Sequence, residues 1–211
     1  MKIIREKICG LELTFCGIIK GLVSEKRDMD EFLKNSNPRV IAIGLSPEEV
    51  RGMRNYIENP ENVPLSEYDV IYGTKLSEFG EVAVPPPAYI SVFLYEKEND
   101  GVEIYPLDMP DEIYADVFTK CVSSYDLIMH SLRKKRLTKK KFRSTSAEEF
   151  VIEWDKEIRK LKGYDRLERE REKYMAKKLL EILKKDVHPV VIVELERLPG
   201  ILENLKSLAT I

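Results

Sequence analysis

Residues 190–201 read VVIVELERLPGI, an apolar run that ends in Glu194, Glu196 and Arg197. Two carboxylates one residue apart can supply oxygen ligands to a divalent cation or move a proton, and a permanent guanidinium beside them can hold an anion. Residues with similar capacity recur at comparable points: Lys20 after LELTFCGII, Asp108 at the end of GVEIYPLD, and Glu170 with Arg171 in a long charged stretch. Arg171 is the unusual one. It stands four residues after Leu167 and four before Met175, on the line a helix would bury, where a guanidinium needs carboxylate or carbonyl partners.

The motifs that announce common chemistries are missing: there is no P-loop, no GxGxxG after a strand, no GxSxG and no HExxH. His130 and His188 have no Cys, Asp or Glu at ligand spacing and read as ordinary surface or half-buried histidines. Cys9, Cys16 and Cys121 form no CxxC pair, which points to free thiols in a reducing cytoplasm.

The elements that must position these groups follow from hydrophobic pattern. LELTFCGII, PRVIAIGL, GVEIYPLD and HPVVIVEL read as strands, the second followed by a helix with Ser46 as cap and Pro47 at its first position. A helix from about Ser24 carries Met29, Phe32 and Leu33, and the triple proline opens another bearing Tyr89, Val92 and Phe93. DVIYG reads as a short strand, and a single helix is expected through Ile113, Val117, Cys121, Tyr125, Ile128 and Leu132. Two charged helices follow, the first capped through Ser144 or Ser146 with Glu149 and striped by Phe150, Trp154, Ile158 and Leu161, the second carrying Arg171.

Strands alternating with helices predict an α/β fold. The expected form is a largely parallel central sheet flanked by helices, with an added layer of long amphipathic helices over roughly 109–186, all in one unit spanning 1–211. Parallel strands bring Lys20, Asp108, Glu194, Glu196 and Arg197 to one carboxyl edge, the place where open α/β sheets bind ligands, with Glu170 and Arg171 arriving from the long helix.

Composition narrows the partners. With 35 basic and 37 acidic residues the net charge is only −2, so any attraction to nucleic acid or membrane must be local. RKKRLTKKKFR, residues 133–143, is eight-elevenths basic and reads first as a solvated helix end and loop, and second as a patch for nucleic acid or an anionic membrane. The absence of glutamine beside abundant Lys, Glu and Arg fits adaptation to heat. No apolar run approaches the ~20 residues that span a bilayer, so a cytoplasmic protein is expected.

EREKYMAKKLLEILKK, residues 170–185, resembles the Glu-Arg-Asp-x-x-Met helix of the TraB/PrgY family, within the erythromycin-esterase, ChaN and Tiki-like superfamily. Glu170, Arg171 and Met175 match, with Glu172 where aspartate is usual. The family's Gly-Ala-Gly-His-x-x-Gly-Ile is answered here by residues 194–201, ELERLPGI, so Gly200 and Ile201 remain while Arg197 replaces the histidine. Lys20 stands where the family's Gly-Thr-x-His has histidine, and Gly44 where its Val-Glu-Leu has glutamate.

The resemblance implies a hydrolytic or metal-dependent site built on histidine and glutamate, and the substitutions remove the groups that would run it. Arginine stays protonated, lysine needs a strongly lowered pKa, and glycine has no side chain. The leading expectation is a pseudoenzyme with no catalytic residue and no cofactor. Its Lys20, Asp108, Glu170, Arg171, Glu194, Glu196 and Arg197 would bind an anionic small molecule, a peptide or a protein partner, a second copy of the chain included. Two alternatives stand beside it: a hydrolase of a peptide or ester holding Mg²⁺ or Mn²⁺ on Asp108, Glu170, Glu194 and Glu196, and a nucleic-acid or anionic-membrane binder acting through 133–143.

Overall fold

A computed structural model describes residues 1–185 and 188–209. In chain order the elements are β1 (Lys2–Ile8), β2 (Leu11–Ile18), α1 (Ser24–Ser36), β3 (Val40–Ile43), α2 (Pro47–Glu58), α3 (Glu67–Leu76) and α4 (Pro87–Glu98), then β4 (Glu103–Pro106), α5 (Asp111–Cys121), α6 (Ser124–Lys139), α7 (Ala147–Ile158), α8 (Lys162–Leu183), β5 (Val190–Glu194) and α9 (Leu198–Ala209). The fold is α/β, with one five-stranded sheet among the described residues in the order β1-β2-β5-β3-β4.

Four of these strands run parallel, and β1 pairs antiparallel with β2 through a hairpin whose turn residues Cys9 and Gly10 both have positive φ, 50° and 85°. That is the two-residue turn whose twist matches paired strands. β1 was not among the expected strands: KIIREKI has charges at four of seven positions, as an edge strand with one solvated face requires.

Side-chain alternation along the parallel strands divides the core into two layers. Phe15, Ala42, Val191 and Val193 face α8 and α9, where Met175, Leu179, Ile201 and Leu205 cover them. Cys16, Ile18, Ile41, Ile43 and Ile192 face the opposite layer, built on Met29 and Leu33 of α1 and Tyr89, Val92 and Phe93 of α4. The chain therefore leaves β2 for one face of the sheet and leaves its neighbour β5 for the other. This divergence opens a crevice at their carboxyl ends, where ligands sit in doubly wound sheets. A third apolar cluster roofs that edge, joining Ile19, Leu22 and Leu195 to Leu76 of α3 and Phe150 and Val151 of α7.

The expected caps of α2 form as written: Ser46 accepts from the Glu49 amide, Glu49 accepts from the Ser46 amide, and Pro47 opens the helix. Ser146 caps α7, but the Glu149 carboxylate turns to the Thr145 amide and hydroxyl instead of completing a box. Two expectations fail. DVIYG is helical, within α3, because Ser66 and Asp69 close a capping box just ahead of it. The single helix expected through 113–132 is two, because Ser123 and Asp126 close another box that starts α6 anew. Ile113, Tyr125, Ile128 and Leu132 are then exposed rather than buried.

Gly200, in the first turn of α9, lies against α8: a Cβ at this position would fall 2.2 Å from Oε2 of Glu172, a buried carboxylate bonded to Arg159. Gly200→Ala would push the Glu172 carboxylate off its Arg159 partner and is accordingly expected to lower unfolding free energy by about 1 kcal/mol, the lower end of overpacking costs. Urea denaturation measures it, and a loss under about 0.5 kcal/mol would mean that Glu172 moves aside freely.

Candidate functional site

The turn after β5 is held at both ends by backbone. The Leu195 amide donates to the Ile18 carbonyl at 2.8 Å, the Arg197 amide to the Glu194 carbonyl at 3.1 Å, and the Ile201 amide to the Arg197 carbonyl at 3.0 Å, which begins α9. Leu195 and Leu198 are buried and anchor the turn in the core. The side chains of Glu194, Glu196 and Arg197 are thereby delivered into the crevice.

There they join a chain of alternating charge. Arg171 of α8 donates from Nε to Asp108 Oδ1 at 3.3 Å and from Nη2 to Asp108 Oδ2, and from Nη1 to Glu168 Oε1 at 3.3 Å. Arg197 donates from Nη1 to the other oxygen of Glu168 and from Nε to Glu194 Oε2 at 2.9 Å. The order Asp108, Arg171, Glu168, Arg197, Glu194 thus ties the segment after β4 to α8 and to the end of β5. Burial pushes the Glu168 carboxyl up, but the two guanidiniums outweigh it and hold the group at about 2. Burial acts against the Arg197 charge too, and Glu168 and Glu194 overcome it, so Arg197 stays cationic.

Glu196 is treated differently. Its Oε2 is sealed from solvent with no hydrogen-bond partner in the structure. Burial, reinforced by the Glu194 charge, raises its pKa to about 8, which favours the protonated form. The Tyr89 hydroxyl is likewise buried without a partner.

A cavity of about 370 Å³ opens over these groups, lined by Lys20, Glu168, Arg171, Glu194, Glu196 and Arg197. Its walls are aromatic. The His130 ring is stacked between Tyr68 and Tyr164, with centroids 3.9 and 4.3 Å away, and Tyr72, Tyr114 and Trp154 complete the enclosure. Burial, with Arg133 and Lys134 adding to it, lowers the His130 pKa to about 4 and keeps the ring neutral. Lys20 is exposed and has no ion pair among the described residues, while its carbonyl accepts from the Tyr72 hydroxyl at 3.1 Å. A second, largely apolar cavity of about 330 Å³ adjoins the first and shares Lys20, Asp69 and Tyr72 with it. A larger hollow of about 650 Å³ near β1, α7 and α9 is lined by none of Asp108, Arg171, Glu168, Arg197 and Glu194.

Of the residues expected from sequence, Lys20, Arg171, Glu194, Glu196 and Arg197 line one cavity, and Asp108 is buried behind it on Arg171. Glu170 is exposed and lines neither cavity. Its place belongs to Glu168, which sequence reading missed although the i, i+3 spacing to Arg171 was there to find. The aromatic walls were missed as well, because Tyr68 and Tyr72 fall in α3, part of which read as a strand.

The four carboxylates proposed for Mg²⁺ or Mn²⁺ do not share one site. Glu170 is exposed and lines neither cavity, while Asp108 and Glu194 are bonded to guanidiniums. Among the described residues, no three His, Cys, Asp or Glu are placed to hold one. Gly44, which stands at a glutamate position of the resembled family, is closely packed: a Cβ there would lie 3.1 Å from Val193 Cγ1 and 3.3 Å from its Cα, so Val193 would have to give by a few tenths of an ångström. His188 is exposed. Comparison of the chain with protein-family models finds no match, and comparison with curated proteins finds none.

The Glu196 environment has a pH signature. Between its ordinary value of 4.5 and about 8 the folded protein holds a proton the unfolded chain has released, so stability falls as pH rises through this window, by up to about 1.4 kcal/mol per unit. Glu196→Gln removes that loss. Its thermal midpoint is expected to exceed the parent's by more at about pH 8.5 than at about pH 5, and equal differences at both would show that Glu196 ionises normally.

Proposed function

We propose that this chain is a binding protein on a TraB/PrgY-like scaffold, with its hydrolytic site filled by ion pairs, and that it holds a small anionic molecule bearing a flat ring. One observation carries this reading: both guanidiniums at the sheet edge are already closed by carboxylates, which leaves Lys20 the cation lining the aromatic cavity without an ion pair among the described residues. Arg171 and Arg197 then frame the cavity instead of binding the ligand, and Lys20 takes the anionic group. The aromatic walls offer stacking area to a ring.

Covalent catalysis has little support. Among the described residues no serine, threonine or cysteine lines the cavity, and His130 is held in its stack with a depressed pKa, so no hydroxyl or thiol nucleophile of these types stands beside a histidine base. A second reading has one observation in its favour: Glu196 lines the cavity and burial raises its pKa, the direction a general acid requires. We place the protein in the cytoplasm, where its three free thiols stay reduced. Among the described residues no helix is long and apolar enough to cross a membrane.

Titration calorimetry with a panel of aromatic carboxylates and nucleoside phosphates tests the proposal. At least one compound is expected to bind with an affinity that Lys20→Ala and Trp154→Ala each weaken by about tenfold, close to 1.4 kcal/mol, while the compound is recovered intact. Binding unchanged in both variants would place the ligand elsewhere, and conversion of the compound to product would establish the general-acid reading instead.

A further inference from the structure

α6 is anchored by one side only. Asp126 caps the helix and accepts from the Gly163 amide, His130 is stacked, Arg133 bonds the Glu157 carbonyl at 2.5 Å, and Leu137 is buried. The opposite side runs through Tyr125, Ile128, Leu132, Lys135, Arg136 and Lys139, positions that fall on one helical face. Tyr125, Ile128 and Leu132 are 67, 60 and 65% exposed. Three large apolar side chains this open, in a row, differ from the scattered exposure normal on protein surfaces.

The same face turns basic in its second half, and the structure sorts those charges. Arg133, Lys134 and Lys140 have carboxylate partners in Glu157, Glu67 and Glu153. Lys135, Arg136, Lys139, Lys141 and Arg143 have none among the described residues, and all five are exposed. A solvated helix end would account for the cations alone, but it gives no reason for an apolar row continuous with them.

We infer that α6 docks this protein on an anionic lipid bilayer, with Tyr125, Ile128 and Leu132 at the acyl boundary and Lys135, Arg136, Lys139 and Lys141 among the headgroups. An exposed apolar row continued along the same face by unpaired Lys and Arg puts apolar area and cationic charge side by side, the two attractions by which a helix binds an anionic bilayer interface. Lysine and arginine stems can cover apolar surface while their charges stay in water, so the two halves of the face are compatible at that depth. Nucleic acid fits less well, because its phosphates would leave Ile128 and Leu132 without apolar contact. The net charge of −2 makes the attraction a property of this segment and not of the whole chain.

Co-sedimentation of the full chain with vesicles is the test, using phosphatidylcholine alone and phosphatidylcholine with phosphatidylglycerol at about 7:3. The protein is expected to partition onto the mixed vesicles, to stay off the neutral ones, and to be released by about 1 M salt. The pairs Ile128→Ser with Leu132→Ser and Lys135→Glu with Arg136→Glu alter exposed positions, so each variant should keep the parent's circular dichroism and thermal midpoint. Each is expected to lower partition by about tenfold or more. Failure to bind mixed vesicles, or partition unchanged in either pair, would overturn the inference. So would self-association that the serine pair abolishes in a protein that does not bind vesicles, since the face would then join copies of the chain.

Discussion

Glu168 divides its two oxygens between two guanidiniums, and the geometry of the sheet edge depends on that division. Oε1 meets Arg171, three residues along α8, and Oε2 meets Arg197, in the turn that follows β5, with a longer 3.5 Å bond from Arg171 as well. Each arginine then reaches a further carboxylate, Asp108 beyond β4 and Glu194 at the end of β5. Withdrawing five charges from water is unfavourable, and mutual attraction offsets the loss only when each group finds partners of opposite sign at hydrogen-bond distance. Here the alternation meets that condition along the whole chain.

That arrangement decides what the crevice can do. The topology supplies a ligand-binding position, since β2 and β5 are adjacent and send their connections to opposite faces. The ion pairs occupy its floor, leaving Lys20 and the aromatic walls facing the space above. In the function proposed above, attraction for an anion comes from one lysine and not from a cluster of three cations. Gly44 and Gly200 mark how tightly the surrounding backbone has closed, against Val193 and Glu172 respectively.

Much of this frame was legible before any coordinates. Continuous apolar runs located β2, β3, β4 and β5, and Arg171 on an otherwise apolar line announced a buried guanidinium in need of partners. The partners themselves were harder. Asp108 and Glu194 followed from strand ends, but Glu168 looked like one more surface charge in a helix where half the residues are charged, and Glu170 was chosen in its place through a motif match. The aromatic walls were invisible for another reason: they gather from α3, α5, α6, α7 and α8, so no local spacing links them. The helix break at Ser123 went unseen because the hydrophobic pattern runs on through it, although the capping pair with Asp126 was present in the sequence.

The central claim is that the arginines at the sheet edge are committed to buried carboxylates and are not held open for a ligand. Equilibrium urea unfolding of Glu168→Gln measures this most directly, because the change keeps the shape and removes the shared charge. A loss of about 3–5 kcal/mol is predicted, the cost of leaving buried guanidiniums short of a partner. A loss under about 1 kcal/mol, the scale of an exposed ion pair, would contradict the account.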